Sequence, residues 1–313
     1  MDGLTSMRTS YSFRITTSFV LFFWALDCVQ IYAQQTPPAD KPIQFIDQNE
    51  FQGTDLILEP GATILIGEIH GTWETPILVA SLVRQAVIKD TETILCVELS
   101  SSEQASIERF LNSDGGETAI DSLLRSPHWN SQDGRASIGM FGMLELLRRL
   151  RNDGKQIRVV AMDSSWEAPS GDIASLPPEE LKKLKELANG RDREMAESVI
   201  QARARAPKAI VIAFAGNVHA KVVRGAPWDP KYIPMGWYVS QKVKNLVSLN
   251  AETSGGQAWV MTDRGIGPTN FKGDDNGSSP FVKLLDNAET GYHGTLYVGR
   301  ISAARPAKAK SGG

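Results

Sequence analysis

The chain is poor in the residues that usually announce a mechanism. It holds two cysteines and four histidines among 313 residues. If residues 1–33 are removed as an export signal, Cys28 goes with them and Cys96 stands alone, which excludes an intramolecular disulfide in any compartment. Cys96 falls inside an apolar run and reads as an inert buried thiol. Long hydrophobic runs are missing too. The apolar stretch Phe19 to Leu26 is too short to cross a bilayer, so no stable membrane span is expected in the mature chain. Neither charge sign dominates: the formal net charge is -3, and basic residues interleave with acids except in the short stretch Arg305 to Lys310. No nucleic-acid footprint is present. There is no H-E-x-x-H, no P-loop and no G-x-G-x-x-G, so zincin, nucleotide-hydrolase and dinucleotide readings lack support. Ser100-Ser101-Ser102 lacks the strand-turn-helix context of a serine nucleophile.

What is present is a repeated strand ending. Thr63-Ile64-Leu65-Ile66 runs into Gly67-Glu68-Ile69-His70, and Ile210 to Ala215 runs into Gly216-Asn217-Val218-His219. Short apolar, β-branched runs of about four to eight residues read as buried strands. Two more follow the pattern: Thr93 to Val97 ends at Glu98, and Ile157 to Met162 ends at Asp163. Four strands therefore deliver Glu68, His70, Glu98, Asp163, Asn217 and His219 at their carboxyl ends, where ligands bind in open α/β sheets.

The organisation follows from composition and periodicity. Residues 1–33 read as a signal peptide, with Arg8 and Arg14 before the apolar stretch and Ile31-Tyr32-Ala33 as the cleavage site; the protein would then be exported, to the periplasm or beyond. Residues 34–44 read as a flexible leader, 45–302 as one large α/β domain with a central, largely parallel sheet flanked by helices, and 303–313 as a disordered tail. Helices are expected at Glu74 to Lys89, Ser102 to Leu111, Thr118 to Leu124 and Ser137 to Arg151. Ala168 to Pro178 reads as a loop, followed by a helix through Ala188 that Asn189-Gly190 breaks and a second helix from Arg191 to Ala206. Met235 to Lys244 should be helical. Leu246–Leu249, Ala258–Thr262 and Thr295–Val298 should complete the sheet, with Asp263 to Ser279 as loop.

A neutral imidazole at a strand end can serve as general base or metal ligand, and two in one frame make His70 and His219 the leading candidates. Glu68 and Glu98 must be paired or hydrogen-bonded if buried. Either could orient a histidine or bind metal. Glu74 sits where a carboxylate complements a helix dipole, or where it could touch substrate. Asp192 reads as a helix cap, and Arg191 as an oxyanion or carboxylate partner. Asp133-Gly134-Arg135 is either a substrate anchor or a turn. Asp163 and Asn217 complete the substrate-binding candidates. His128 and His293 lie outside the repeated frame.

These residues carry a resemblance. Gly67 to Glu74 resembles the opening motif shared by erythromycin esterase-like hydrolases and the haem-uptake (ChaN-like)/Tiki group, and the Gly-x-x-His form, used twice, is closer to the latter. Arg191-Asp192-Arg193-Glu194-Met195-Ala196 resembles the Arg-Asp-x-x-Met-Ala helix of both, and Pro234-Met235-Gly236 resembles the Met-Gly turn that follows the second histidine. The resemblance implies a site built from Glu68, His70, Glu98, Arg191 and His219 acting on a small molecule or peptide. It leaves two cofactor alternatives: a divalent metal held by His70, His219 and Glu98, or haem held by an axial side chain. The resulting expectation is an exported hydrolase of ester or amide bonds, with a haem-binding protein as the alternative.

Overall fold

A computed structural model describes residues 41–164, 177–262 and 265–308. The signal peptide, most of the leader, most of the Ala168 to Pro178 loop and the last five residues lie outside the described residues.

The four apolar runs form β1 (Thr63–Glu68), β2 (Thr93–Ser100), β3 (Ile157–Asp163) and β4 (Ile210–Gly216). Later strands are β5 (Leu246–Glu252), β6 (Gly255–Thr262), β7 (Gly265–Lys272), β8 (Phe281–Leu284) and β9 (Gly294–Tyr297). The helices are α1 (Glu74–Ile88), α2 (Gln104–Leu111), α3 (Glu117–Leu124), α4 (Ile138–Asn152), α5 (Pro178–Arg205), α6 (Asn217–Ala220) and α7 (Met235–Ser240). The main sheet has seven strands in the order β3-β2-β4-β1-β5-β9-β8. Every pairing is parallel except β8 with β9. The expected α/β fold is therefore the observed one, and β2, β4 and β1 lie side by side at its centre.

Alternate residues of these strands feed two cores. Ile64, Ile66, Leu95, Val97, Ile212 and Phe214 pack on one face against Ile77, Leu82, Met143 and Leu147 of α1 and α4. Leu65, Ile94, Cys96, Val211 and Ala213 pack on the other against Met195, Ala196 and Val199 of α5 and Met235 and Val239 of α7. Parallel strands covered on both faces need continuous apolar sequence, which is why these runs do not alternate. Leu65 is fully buried; its truncation to Ala should cost about 2–5 kcal/mol.

Four expectations are corrected. Asn189-Gly190 does not break a helix: α5 runs unbroken through it. A helical glycine costs only about 1 kcal/mol relative to Ala. Burial of Met195, Ala196 and Val199 outweighs that, and a Cβ on Gly190 would meet nothing. Ala258–Thr262 does not join the main sheet. It belongs to β6, which pairs antiparallel with β7 as a separate hairpin, so the stretch expected as loop from Asp263 to Ser279 holds a strand. Gly255 and Gly256, at φ +98° and +127°, let the chain turn out of β5 into this hairpin. Finally, the tail is ordered from Ala303 to Lys308. Ala303 bridges Thr72, and the Ala304 and Ala307 amides donate to the Gly71 and Ala136 carbonyls at 2.9 and 2.8 Å. Its Ala- and Lys-rich composition hid this, because backbone hydrogen bonds hold it rather than large apolar side chains.

Candidate active site

The two Gly-x-x-His motifs meet because β1 and β4 are neighbours in register, Glu68 opposite Gly216. Their glycines are mutually required. A Cβ on Gly67 would lie 2.7 Å from the Asn217 Cα, and one on Gly216 would lie 3.0 Å from His70 Nε2 and 3.5 Å from His219 Cδ2. Each motif thus lends the other the space its side chains occupy.

Glu98 is the hub. The register of β2 against β3 shifts between Val97 and Ser100, the stretch that carries it. Its Oε2 accepts from the Gly216 amide at 2.7 Å, and its Oε1 accepts from Arg191 Nη2 and, at 3.5 Å, from Arg135 Nε. Burial opposes ionisation, but Arg191, His70, His219 and Arg135 outweigh it and hold the Glu98 pKa well below the carboxylate range. Arg191, on α5, also donates from Nε and Nη2 to the two Asp163 oxygens, both at 2.7 Å, and from Nη1 to His219 Nε2 at 3.2 Å. Burial works against its charge, yet Glu98 and Asp163 raise its pKa further above the ordinary arginine value.

Each histidine has one nitrogen held by a carboxylate and the other turned inward. His70 Nδ1 lies 2.9 Å from Glu68 Oε1, and its Nε2 lies 3.5 Å from Glu98 Oε2. His219 Nδ1 lies 2.8 Å from Asp192 Oδ1, and its Nε2 lies 3.8 Å from Glu98 Oε1. Because a guanidinium only donates, the neutral form of His219 accepts from Arg191 at Nε2 and carries its proton on Nδ1, toward Asp192. Burial lowers the His219 pKa, but Asp192 and Glu98 outweigh it and bring it above the ordinary histidine value. Glu68 is 4% exposed and its Oε2 has no hydrogen-bond partner among the described residues; burial raises its pKa.

The other candidates divide. Arg135, the most exposed cation here at 38% of its side chain, reaches Glu98 and pairs with Asp133 at the edge of the cluster. Asp163 is inside, clamping Arg191. Asn217 is brought close by its backbone, and its carbonyl accepts from the Tyr292 hydroxyl at 2.7 Å. Glu74 is not brought in. It accepts from the Ser302 amide at 2.7 Å, the Ser302 hydroxyl at 2.9 Å and Lys41 at 2.5 Å, and so ties α1 to the chain's last segment. His293 is also elsewhere, its Nδ1 accepting from the Ser248 amide. Sequence reasoning missed Asp192 and Tyr232. Asp192 is fully buried and does not cap α5; beside His219 it accepts from the Tyr232 hydroxyl and, at 2.6 Å, from the amide of Met235, the first residue of α7. The Arg-Asp-x-x-Met-Ala motif was the available signal.

The donor set does not fit a metal ion. Among the described residues no group of three His, Cys, Asp or Glu side chains is arranged to hold one, and the Glu98 oxygen nearest His219 already faces two guanidinium groups. The haem alternative fares little better at these histidines. Both Nε2 atoms point at Glu98, and the rings are only 18% and 14% exposed.

No known family profile and no curated protein matches this sequence; the likeness is three-dimensional. The sheet and its helical layers define an α/β fold of the erythromycin esterase type. A His-to-Asn mutant of the erythromycin esterase EreC, in its open conformation, matches with a TM-score of 0.59 over 81% of this chain and 94% of that one, at 13% identity. A Bacillus cereus protein matches at 0.56 over 81% and 92%, with 13% identity. A succinoglycan biosynthesis protein matches at 0.54 over 80% and 91%, with 11% identity. Identities this low establish the shared fold, which agrees with the resemblance carried by the motifs.

Proposed function

We propose that the chain is a hydrolase of ester or amide bonds in which His70 activates water without a metal ion. One observation carries this reading: two histidines, each held at Nδ1 by a buried carboxylate, direct Nε2 at a single anionic hub. Carboxylate-oriented imidazole is the arrangement of a general base. His70 is the more exposed of the two and would take the proton from water at Nε2, while Glu68 stabilises the imidazolium. Glu98 is committed to Arg191 and the Gly216 amide, whereas the hydrogen-bond partner of Glu68 among the described residues is His70, which favours Glu68 as the assisting acid.

Arg191 supplies the electrophile. A guanidinium has five N–H donors; four are engaged by described residues, which leaves one on Nη1 for a developing oxyanion. His219 holds that group in place and acts as a positioning residue. Arg135 would meet the substrate first. The shared fold with an erythromycin esterase supports hydrolysis of a small molecule, and a peptide substrate fits the same chemistry. Export, with cleavage after Ala33, is part of the proposal.

The test is a panel of nitrophenyl esters and peptide amides with purified mature protein beside His70→Ala. Hydrolysis by the wild type, reduced at least 10²-fold in a folded variant, is the expected result, since a general base contributes about 10²–10⁴. A folded His70→Ala protein with full activity overturns it. N-terminal sequencing of the exported protein checks the cleavage site.

A further inference from the structure

The hairpin of β6 and β7 rests on the two loops that carry His70 and Arg135. The Trp259 amide donates at 2.8 Å to the carbonyl of Gly71, one residue beyond His70, and the indole Nε1 donates at 3.0 Å to the Gln132 carbonyl. Gly134, beside Arg135, leaves the Trp259 carbonyl the space a Cβ would fill. Directly opposite residues of an antiparallel pair share a face. The register therefore puts Ala258, Val260 and Phe271 on the face that meets the core. On the other face Trp259 lies opposite Pro268 and Met261 opposite Ile266. That outward face is apolar where a solvated one is ordinarily polar. Met261 is 60% exposed, the most of any large apolar side chain among the described residues, and Ile266 is 45% exposed. Apolar residues exposed singly are ordinary, but here two cross-strand pairs follow each other and form a strip. Gln257 and Asn270, hydrogen-bonded to each other at 3.0 Å, bound it at one end. From Trp259 to Met261 the strip runs about 7 Å by the rise of a strand. Through Trp259 it adjoins the loops of the general base and of the site's most exposed cation.

We propose that this strip receives an apolar chain attached to the scissile ester or amide, so that the substrate's tail lies along Trp259, Met261 and Ile266 while its carbonyl meets Arg191. The scissile bond rests on the hydrolase reading; the apolar strip does not. Methionine suits such a surface, because its unbranched side chain adapts to partners of differing shape. A fully buried methylene contributes about fourfold in affinity, and one covered on a single side about twofold. The methylenes that separate an acetyl from an octanoyl group should therefore raise kcat/KM at least about tenfold.

The test compares nitrophenyl acetate with nitrophenyl octanoate, and ethyl acetate with octyl acetate. Each pair is given to wild type, to Met261→Ser/Ile266→Ser and to Leu284→Ser/Leu285→Ser, the last removing another exposed apolar pair at the end of β8. Wild type and the Leu284/Leu285 variant should prefer the long chain at least about tenfold in kcat/KM within one of the two pairs. The Met261/Ile266 variant should lose most of that preference. A preference that survives in the Met261/Ile266 variant, or a wild type indifferent to chain length, overturns the proposal. Octanol beside ethanol gives a readout without turnover. In protein labelled at the methionine methyl carbons, the signal missing from Met261→Ser should shift with octanol and not with ethanol. If wild type hydrolyses none of these esters and no peptide amide, the hydrolase reading is retired, and the octanol shift decides for the strip or, by its absence, against it. Wild type held on neutral phospholipid vesicles and released by the Met261/Ile266 substitutions, with the chain preference untouched, would mark a lipid-surface contact and overturn the proposal as well.

Discussion

Asp192→Asn separates an orienting carboxylate from a merely buried one. The native group is fully buried and accepts three hydrogen bonds, from His219 Nδ1 at 2.8 Å, from the Met235 amide at 2.6 Å and from the Tyr232 hydroxyl. Asparagine is the same size. Its oxygen can keep the first two donors, and its amide can face Tyr232 if that hydroxyl turns from donor to acceptor. Every contact then survives, but without charge. A hydrogen bond to a charged group contributes about 1.5–3 kcal/mol against about 1 for a neutral pair, so three weakened bonds cost roughly 1.5–6 kcal/mol. Asp192→Ala instead leaves buried donors unpaired, at about 1–3 kcal/mol each, and should cost more. Urea unfolding measures both as midpoint shifts at unchanged slope. The pH dependence gives a second readout. The folded-state pKa of His219 is raised, so its contribution to stability is fully present below the unfolded value near 6.5 and is lost as pH rises through the folded value. The gap between wild type and Asp192→Asn should therefore be widest below pH 6.5 and narrow above it. Equal midpoints for wild type and Asp192→Asn, or a gap that ignores pH, would refute the reasoning.

Glu98→Gln should destabilise by about 3–5 kcal/mol, because it leaves buried Arg191 short of a counter-charge; denaturant midpoints check this. The Glu98 pKa is depressed in the fold, so its stabilisation is present above its ordinary value near 4.5 and lost as pH falls below that. Glu98→Gln should correspondingly flatten the acid side of the stability profile. Gly134→Ala should lower the melting temperature more than Gly154→Ala. Both residues have positive φ, +95° and +78°, which costs about 1–3 kcal/mol for a residue with a side chain. Only at Gly134 would the new Cβ also lie 2.3 Å from the Trp259 carbonyl, while at Gly154 it meets nothing. Equal losses would show that the hairpin does not press on the loop carrying Arg135.

The site was more legible in the sequence than its supports were. Glu68, Glu98, Asp163 and Asn217 were readable because buried parallel strands need unbroken apolar runs, so the first polar residue after each run marks the sheet's carboxyl edge; the two histidines lie two residues beyond Glu68 and Asn217. Strand order was not readable, since nothing local says that β4 lies between β1 and β2. The hairpin of β6 and β7 was hidden by its glycines, proline and aspartates, which resemble loop by composition although the strands pair over eight residues each. Asp192 was misread for the same reason that α5 was cut in two. An Asn-Gly pair suggested a helix start at Arg191, and a carboxylate at a helix start is a cap. Once the helix continues through Gly190, Asp192 has no free amides of α5 to serve, and its side chain turns toward His219 and the first amide of α7.

That correction explains why the repeated motif needs two different middles. In the first, the residue after glycine is Glu68, which holds its own histidine two positions on. In the second that residue is Asn217, which heads a helix with its backbone, and the carboxylate for His219 comes from α5. Drawing the acid from α5 places it on the far side of the imidazole and brings Arg191 in on the adjacent residue. The asymmetry of the two motifs therefore lets two histidines face one carboxylate, each held at its outer nitrogen by a different acid.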